Sequence, residues 1–290
     1  MAPRFGLLCS TDHLDAAQLA ELAQELERLG YADLWLPELL GREPIATAGW
    51  LLARTTRIGV GTGIANVYAR DATAASQARR TLAELSGGRF TLGLGVSHPP
   101  IAAMRGHDWL PPVAKVRAYL DALERAQLQS PAPASPAPIV VAGHGPKLLR
   151  LVAERADGAH TYLVTPEHSK SARAILGPAK SLRVVLPFVG EADPERARKA
   201  TRAALSVYLP FPAYHRLWSG FGFAPSDWTG EASDRLIDAL TAWGEPERIR
   251  ARAREYLAAG ATQVLLLPMQ RLRLGGPVHA TLEALGGGPG

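Results

Sequence analysis

The sequence has 290 residues, of which 47% are hydrophobic and 20% are charged, a composition that excludes an intrinsically disordered chain. Cys9 is the only cysteine, which excludes an internal disulfide, and no apolar run approaches the roughly 18 residues that a membrane-spanning helix needs. The net charge of +5 fits either solvated helix faces or attraction for an anionic ligand, and the lack of basic runs interleaved with aromatic residues argues against nucleic-acid binding.

Eight short runs rich in Val, Ile, Leu and Phe recur along the chain, and segments with helical spacing separate nearly all of them. The runs are Arg4–Cys9, Ala32–Pro37, Arg57–Thr62, Arg89–Gly95, Pro138–Ala142, Gly158–Val164, Leu182–Val189 and Thr262–Leu267. Parallel neighbouring strands need a crossover segment, and eight strands can close into a barrel without a free edge. The alternation therefore predicts an α/β protein, a single (β/α)8 TIM barrel over residues 1–285, with its chemistry at the C-terminal ends of the strands.

Apolar residues at helical spacing predict the helices between these strands. The first helix has one apolar stripe, formed by Leu19, Leu22, Ala23, Leu26 and Leu29. Thr11 or Asp12 is expected to cap its start, and Gly30 suits its C-terminal end. The proline-rich residues 129–138 cannot form a helix and predict a spacer loop at the bottom of the barrel. Residues 286–290 are expected to form a flexible tail.

One segment departs from the regular alternation. After the seventh strand and its helix comes an aromatic and proline-rich stretch, Leu209–Phe223, followed by a helix predicted over Ser233–Trp243. Extra length at this point builds either a pocket wall or a subunit interface, and both uses would explain the aromatic residues. The sequence leaves the role of residues 209–243 open.

A carboxylate and several glycines stand at the predicted ends of strands two and three. Strand two ends at Glu38, which fits a cofactor contact, a proton-transfer group or a solvated charge. Strand three runs through Gly59, Gly61 and Gly63 towards Asn66, and glycine in a strand often marks a bulge or the close approach of a ligand. The spacing is not the dinucleotide-binding fingerprint, because its sixth position lacks glycine and no helix begins there.

Strands four and five end in further candidate site residues. Ser97-His98 brings a hydroxyl and an imidazole to the rim, and no second histidine or carboxylate stands at metal-ligand spacing, so we predict no structural metal. After strand five, Gly143 and Gly145 precede a helix that begins near Pro146. Exposed amides at such a helix start predict a phosphate site, with an ordinary glycine-rich turn as the alternative, and Lys147 adds positive charge.

In this order, the segments resemble the luciferase-like monooxygenase superfamily and, within it, the oxidoreductases that use the deazaflavin coenzyme F420. The resemblance covers almost the whole chain. Its segments are Leu36–Glu38, Gly61–Arg70, Ala78–Phe90, Leu92–His98, Gly145–Lys147 and Ala153–His160. Their ordered combination is specific, although no single segment is.

The resemblance implies a barrel whose third strand bulges behind the cofactor ring, often through a cis non-proline peptide, here Gly63-Ile64. Glu38 and His98 would be the catalytic residues, with His98 as a proton acid or base. The expected cofactor contacts are Gly63, Ile64, Ala65, Asn66 and Ser97 around the ring, with Ala142, Gly143, His144, Gly145, Pro146 and Lys147 at its phosphate. The expected substrate pocket consists of Tyr68, Trp109, His160 and Tyr162.

Two departures from the family pattern bear on the chemistry. Leu39 stands where several deazaflavin-dependent dehydrogenases place a histidine, which argues against a sugar-phosphate dehydrogenase mechanism that uses this histidine. Asp71-Ala72 replaces a His-Pro pair that often follows the strand-three loop, so the path of that loop is open.

The leading hypothesis is hydride transfer between F420 and a small organic substrate, carried out by a homodimer that binds neither nucleic acid nor membranes. Residues 1–9 lack the long apolar segment of a secretory signal, so we expect a cytoplasmic location. An FMN-dependent monooxygenase and a non-catalytic barrel that binds flavin or deazaflavin are the alternatives. Both cofactors carry a ribityl phosphate, whereas the acidic tail of F420 suits the positive net charge.

Overall fold

Eight parallel strands form a closed barrel in the computed structural model, which describes residues 5–286. The barrel strands are β1 (Phe5–Leu8), β2 (Asp33–Leu36), β3 (Gly59–Thr62), β5 (Phe90–Gly95), β6 (Ile139–Ala142), β7 (Gly158–Tyr162), β8 (Ser181–Val189) and β10 (Gln263–Pro268). They pair in this order, and β10 pairs with both β8 and β1 to complete the ring. This closure confirms the (β/α)8 barrel.

The described helices pack their apolar faces on the barrel or on its insertion. They are α1 (Ala16–Arg28), α2 (Pro44–Arg54), α3 (Ala72–Leu85), α4 (Pro99–Met104), α5 (Pro112–Arg125), α6 (Pro146–Arg155), α7 (Pro166–Leu176), α8 (Pro194–Leu205), α9 (Pro212–Ser219), α10 (Asp234–Leu240), α11 (Pro246–Ala258) and α12 (Pro277–Leu285), with a 3-10 turn at Pro225–Asp227. Two short strands, β4 (Ala65–Asn66) and β9 (Ala242–Trp243), pair with β5 and β8. No described helix has the length and apolarity needed to cross a lipid bilayer.

Asp15 caps the start of α1, so the prediction of Thr11 or Asp12 is wrong. The Asp15 carboxylate accepts the backbone N–H of Gln18 (2.9 Å), and the Gln18 side chain accepts the backbone N–H of Asp15 (3.0 Å). This reciprocal capping box satisfies two backbone donors at once. Gly30 follows the helix with φ of 83°, in agreement with the prediction for its C-terminal end.

Side chains fill the interior of the barrel. At its lower end, Gln263 Nε2 donates to Asp33 Oδ2 (2.5 Å), and Arg183 Nε donates to Gln263 Oε1 (3.2 Å). The fully buried Trp35 lies above, with its ring 5.3 Å from the Arg183 guanidinium carbon and 5.4 Å from the His160 ring centroid. The barrel interior is therefore a packed core and not a pore, and active sites of such barrels lie at the mouth formed by the C-terminal ends of the strands.

The insertion after α8 packs over the C-terminal ends of the strands. The predicted helix over Ser233–Trp243 is shorter than expected, because α10 ends at Leu240 and the following residues extend into β9 beside β8. The aromatic stretch contains helix α9. The Nε1 of Trp218 in this helix donates to the carbonyl of Leu163, the residue that follows β7 (3.1 Å). The insertion is therefore a wall over the barrel mouth.

Two connecting segments were also predicted from composition. Residues 129–138 form neither helix nor strand and join α5 to β6, as expected. Of the expected tail, residues 287–290 lie outside the described part of the chain, and the amide of Gly286 donates to the carbonyl of Glu283 (3.2 Å).

Candidate active site

The chain bulges between β3 and β4 at the mouth of the barrel. The Gly63-Ile64 peptide is cis, as the resemblance implied, and Ala65–Asn66 then pairs with the end of β5. A Cβ atom built on Gly95 would lie 2.7 Å from Ile64 Cγ1 and 3.2 Å from Ala142 Cβ. Glycine at position 95 thus lets the bulge and the end of β6 approach each other. The structure brings Ile64 and Ala142, two predicted cofactor contacts, to one surface.

The other strand-three glycines serve the barrel interior. A Cβ on Gly59 would overlap the Asp33 carboxylate, and one on Gly61 would lie 2.8 Å from the Trp35 ring. Of the two alternatives for these glycines, the close approach of a ligand does not apply at either position, because interior side chains occupy the space, whereas the bulge follows directly after them at Gly63-Ile64. Gly63 also borders the interior, because a Cβ built on it would lie 2.7 Å from Leu8 Cδ1.

Glu38 is buried and forms an ion pair with the half-buried Arg70 next to the bulge. Arg70 donates to both carboxylate oxygens (2.9 and 2.6 Å), and the backbone N–H of Asn66 donates to Oε2 (2.6 Å). Arg105 Nη2 lies 3.7 Å from Oε1. Glu38 and Asn66 are thus together, as predicted, but both oxygens of Glu38 are already engaged by this chain.

The side chain of Asn66 keeps a free donor. Its Oδ1 accepts the backbone N–H of Tyr68 (2.9 Å), whereas its Nδ2 is buried without a partner in residues 5–286. A buried donor without an acceptor is unfavourable unless something else supplies one. Asn66 therefore offers an unsatisfied hydrogen bond at the bulge.

The end of β5 presents Ser97 and His98. Ser97 has φ of 60°, which is uncommon for a residue with a side chain and marks a sharp change of chain direction. The His98 ring stacks face to face on Phe211 of the insertion, with centroids 4.0 Å apart and planes 2° apart. Burial lowers the pKa of His98 below its ordinary value. The imidazole is therefore neutral at pH 7 and lies at the rim of the mouth.

The start of α6 follows the end of β6. Gly145 caps the helix without a side-chain hydrogen bond, and a Cβ on Gly145 would meet no atom within 4 Å. Gly143 instead packs against Leu148. The sequence prediction of an open, amide-lined helix start therefore holds at Gly145, beside the exposed Lys147.

His144 lies between this loop and the insertion. Its carbonyl accepts the Nε2 hydrogen of His168 (2.8 Å), and its ring stacks on Tyr214 with centroids 5.5 Å apart. Burial, followed by the charges of His168, His98 and Arg216, lowers the pKa of His144 to about 4. His144 is therefore neutral, and Arg216 adds positive potential near the start of α6.

The four predicted substrate-pocket residues do not form one pocket. Tyr68 and Trp109 stack on each other (5.9 Å) on the flank of the barrel, where Tyr68 borders a cavity of about 470 Å³. His160 is 5% exposed inside the barrel, against Trp35, so it is a core residue. Tyr162 packs edge to face against Tyr208 of the insertion (5.2 Å) and alone remains at the mouth.

A second cavity, of about 440 Å³, opens beside the ends of β1 and β10. Its lining comprises Cys9, Ser10, Asp12, His13 and residues 268–272. Sequence reasoning identified none of these residues as part of a site. It also missed the role of Arg70, and it included Phe211 only as one residue of the aromatic stretch Leu209–Phe223.

One cluster of possible metal ligands lies away from the mouth. Glu25, His279 and Glu283, on α1 and α12, place one ligand atom each within 4.8 Å of one another. Glu25 is also paired with Arg28 (2.5 Å). The absence of a structural metal stays a prediction.

Comparison with known proteins agrees with this architecture. Residues 3–263 match the family model of luciferase-like monooxygenases. The 5,10-methylenetetrahydromethanopterin reductase of Methanolobus tindarius is 25% identical over 293 aligned positions, covering 86% of this chain and 89% of the relative.

Two solved structures share the fold over nearly their full lengths. The coenzyme F420-dependent tetrahydromethanopterin reductase of Methanopyrus kandleri has a TM-score of 0.75 at 17% identity, covering 98% of this chain and 97% of the other. The oxygenating constituent of 3,6-diketocamphane monooxygenase from Pseudomonas putida, in complex with FMN, has a TM-score of 0.73 at 16% identity, covering 99% and 97%. By its match over most of its length, the chain belongs to the luciferase-like monooxygenase family.

Proposed function

We propose that the chain is an oxidoreductase that binds coenzyme F420 at the mouth of the barrel and transfers a hydride between it and a small organic substrate. The similarity to the reductases of Methanolobus and Methanopyrus supports this assignment. The observation that carries it is the geometry at Gly95: a Cβ there would lie 2.7 Å from Ile64 Cγ1 and 3.2 Å from Ala142 Cβ, so the bulge and the entry to the α6 loop both border this glycine. A ring at the bulge and a phosphate at α6 would thus share one surface.

The residues present fit such a cofactor. The buried Nδ2 of Asn66 lacks an acceptor within residues 5–286, and a polar atom of a bound ring would supply it. At α6 the first-turn amides of Lys147 and Leu148 lack intrahelical acceptors, and the open space at Gly145 leaves room for a phosphate before them. Together they suit a ligand with a polar ring and a phosphate.

The proposed chemistry assigns separate tasks to cofactor and protein. When bound, F420 would supply a deazaflavin ring whose C5 atom accepts or donates a hydride. His98 exchanges a proton with the substrate, since a neutral imidazole at the rim can act as a base at pH 7. Glu38 holds the bulge through Arg70 and the amide of Asn66, because both of its oxygens are engaged.

An FMN-dependent monooxygenase is the second candidate, because the FMN complex from Pseudomonas putida has the same fold. A phosphate at α6 would suit either cofactor. The exposed Lys147, and Arg216 close enough to lower the pKa of His144, favour the ligand whose tail carries additional carboxylates, which is F420.

Equilibrium titration calorimetry with each cofactor tests the proposal. We expect saturable binding of F420 and none of FMN under the same conditions. Binding of FMN without binding of F420 would overturn the proposal in favour of the monooxygenase. Binding of F420 with no change in deazaflavin absorbance across a broad panel of oxidised and reduced substrates would support the non-catalytic barrel.

Replacing His98 tests its role separately. We expect His98→Ala to retain F420 affinity and to lower turnover by about 100-fold. This is the lower limit of the rate enhancement that general acid–base catalysis usually provides. Unchanged turnover would remove His98 from the mechanism.

We also propose that the protein acts as a homodimer, as the family resemblance suggests, and that it works in the cytoplasm. Sedimentation equilibrium of the purified protein would detect the dimer, and a monomer at all concentrations would contradict it.

A further inference from the structure

The segment that follows α8 places three aromatic rings around His98. Phe211 stacks on its face at 4.0 Å, and the rings of Tyr214 and Tyr208 lie 6.0 and 6.4 Å away by centroid distance. Within residues 5–286 the His98 ring makes no hydrogen bond, and its residue caps α4 without using its side chain. The stack is therefore the closest ring contact available to orient the imidazole.

The backbone of the insertion fixes the position of Phe211 independently of His98. The amide of Phe211 donates to the carbonyl of Tyr208 (3.1 Å), and the carbonyl of Phe211 accepts the amide of Tyr214 (3.0 Å). Trp218, which lies one turn after Tyr214 in α9, donates a hydrogen bond to the Leu163 carbonyl. Phe211 thus presents a preformed surface to the imidazole.

We propose that Phe211 is a positioning residue for His98: it covers one face of the imidazole and holds its plane, so that the ring edge with both nitrogens stays available to a substrate at the mouth. The catalytic part of this inference rests on the proposed function, whereas the stack of Phe211 on His98 does not depend on it. A parallel stack fixes the ring plane without using either nitrogen, which a hydrogen bond could not do.

The stack also separates one face of the imidazole from water. Burial lowers the pKa of His98. The titratable groups that face it are the hydroxyls of Tyr208 and Tyr214 and the imidazole of His144. A smaller side chain at position 211 should therefore let water reach His98 and raise its pKa towards the ordinary value.

Nuclear magnetic resonance of the cofactor-free protein tests the inference. The His98 ring signals are assigned by their loss in His98→Gln and titrated from pH 4 to 8. In Phe211→Leu we expect a higher pKa for His98 and loss of the ring-current shift that a stacked phenyl ring produces. Phe211→Tyr, which keeps the stack, should retain both features.

Phe221→Leu is the matched control, because Phe221 lies in the same insertion but packs edge-on against His168 (5.8 Å). This variant should leave the His98 signals unchanged. With F420 bound, Phe211→Leu should lower kcat about tenfold at unchanged cofactor affinity, as expected for lost orientation.

Unaltered His98 signals in Phe211→Leu, or an equal change in Phe221→Leu, would overturn the inference. If Phe211→Leu does not fold, Phe211→Met replaces it under the same criteria. Failure of the wild-type protein to bind F420 would contradict the proposed function and leave the magnetic resonance result to decide the positioning role.

Discussion

Arg70 binds both carboxylate oxygens of Glu38, which joins the loop after β2 to the loop after β4. The two side chains are only 14% and 6% exposed, and the same guanidinium reaches Glu43 at 2.6 Å. A bidentate pair of this kind fixes the relative position of two loops more tightly than a single contact. This ion pair therefore helps to fix the position of the bulge at the mouth.

Removal of Glu38 should destabilise the fold. Glu38→Ala leaves the half-buried guanidinium of Arg70 with only its exposed partner Glu43, so we expect a loss of about 3 kcal/mol in the free energy of unfolding, measured by urea denaturation. Glu154→Ala, which breaks the exposed pair with Arg117, is the control and should change it by less than about 0.5 kcal/mol. Normal stability with abolished turnover would instead identify Glu38 as a proton-transfer group.

Gly61 and Trp35 should show strong energetic coupling. In Gly61→Ala the new methyl group would lie 2.8 Å from the Trp35 ring, so we expect a loss of about 2 kcal/mol from overpacking. In the Trp35→Leu background the same change should cost less, because the leucine leaves space. A double-mutant cycle with additive effects would contradict this packing relationship.

His160 should make the protein less stable in acid. Burial, followed by the charge of Arg183, lowers the pKa of His160 to about 3, whereas the ordinary value in the unfolded chain is about 6.5. Between these two pH values the unfolded state binds a proton that the folded state does not, so stability falls as pH decreases, by at most about 1.4 kcal/mol per pH unit. His160→Gln should reduce this slope between pH 6 and 4 and leave it unchanged between pH 7 and 8. An identical slope in both proteins across the acid range would refute the assignment.

The hydrogen bond from Trp218 to the Leu163 carbonyl should hold the insertion on the barrel. Trp218→Phe removes the donor and leaves a buried carbonyl unsatisfied, at a cost of about 1–2 kcal/mol. Amide hydrogen exchange in α9 should become faster. Trp228→Phe is the control, since Trp228 is also buried in the insertion but donates no hydrogen bond from its indole within the described residues. Equal exchange rates in the two variants would count against the anchor.

Gly145 offers a sensitive test of the phosphate position. Gly145→Ala should fold normally, because the added methyl group would meet no atom within 4 Å. If a phosphate lies before the amides of α6, the methyl group would crowd it, and we expect about tenfold weaker binding of F420 by calorimetry. Lys170→Ala, on the neighbouring helix α7, is the control for general changes in surface charge. Full affinity of Gly145→Ala for F420 would show that the phosphate does not bind at this position.

Several features of the site followed from local sequence. Ser97-His98 at the end of β5 and the open glycine at the start of α6 were predicted because strand ends and helix starts depend on neighbouring residues. The cis Gly63-Ile64 peptide was predicted through the family resemblance. By contrast, the sequence left open whether Gly59 and Gly61 border a ligand, and the structure shows Asp33 and Trp35 beside them, because the sequence does not state which side chain fills the space beside a glycine.

The sequence by itself determined the eight-stranded barrel and its closed order, because the alternation of strand and helix patterns is a local property repeated along the chain. Only the tertiary structure decided that Arg70 neutralises Glu38, that His160 belongs to the core and that Phe211 faces His98. These contacts join residues far apart in sequence, and their geometry depends on how the strands are staggered and how the insertion folds back over the mouth. No local pattern of residue types encodes such distances.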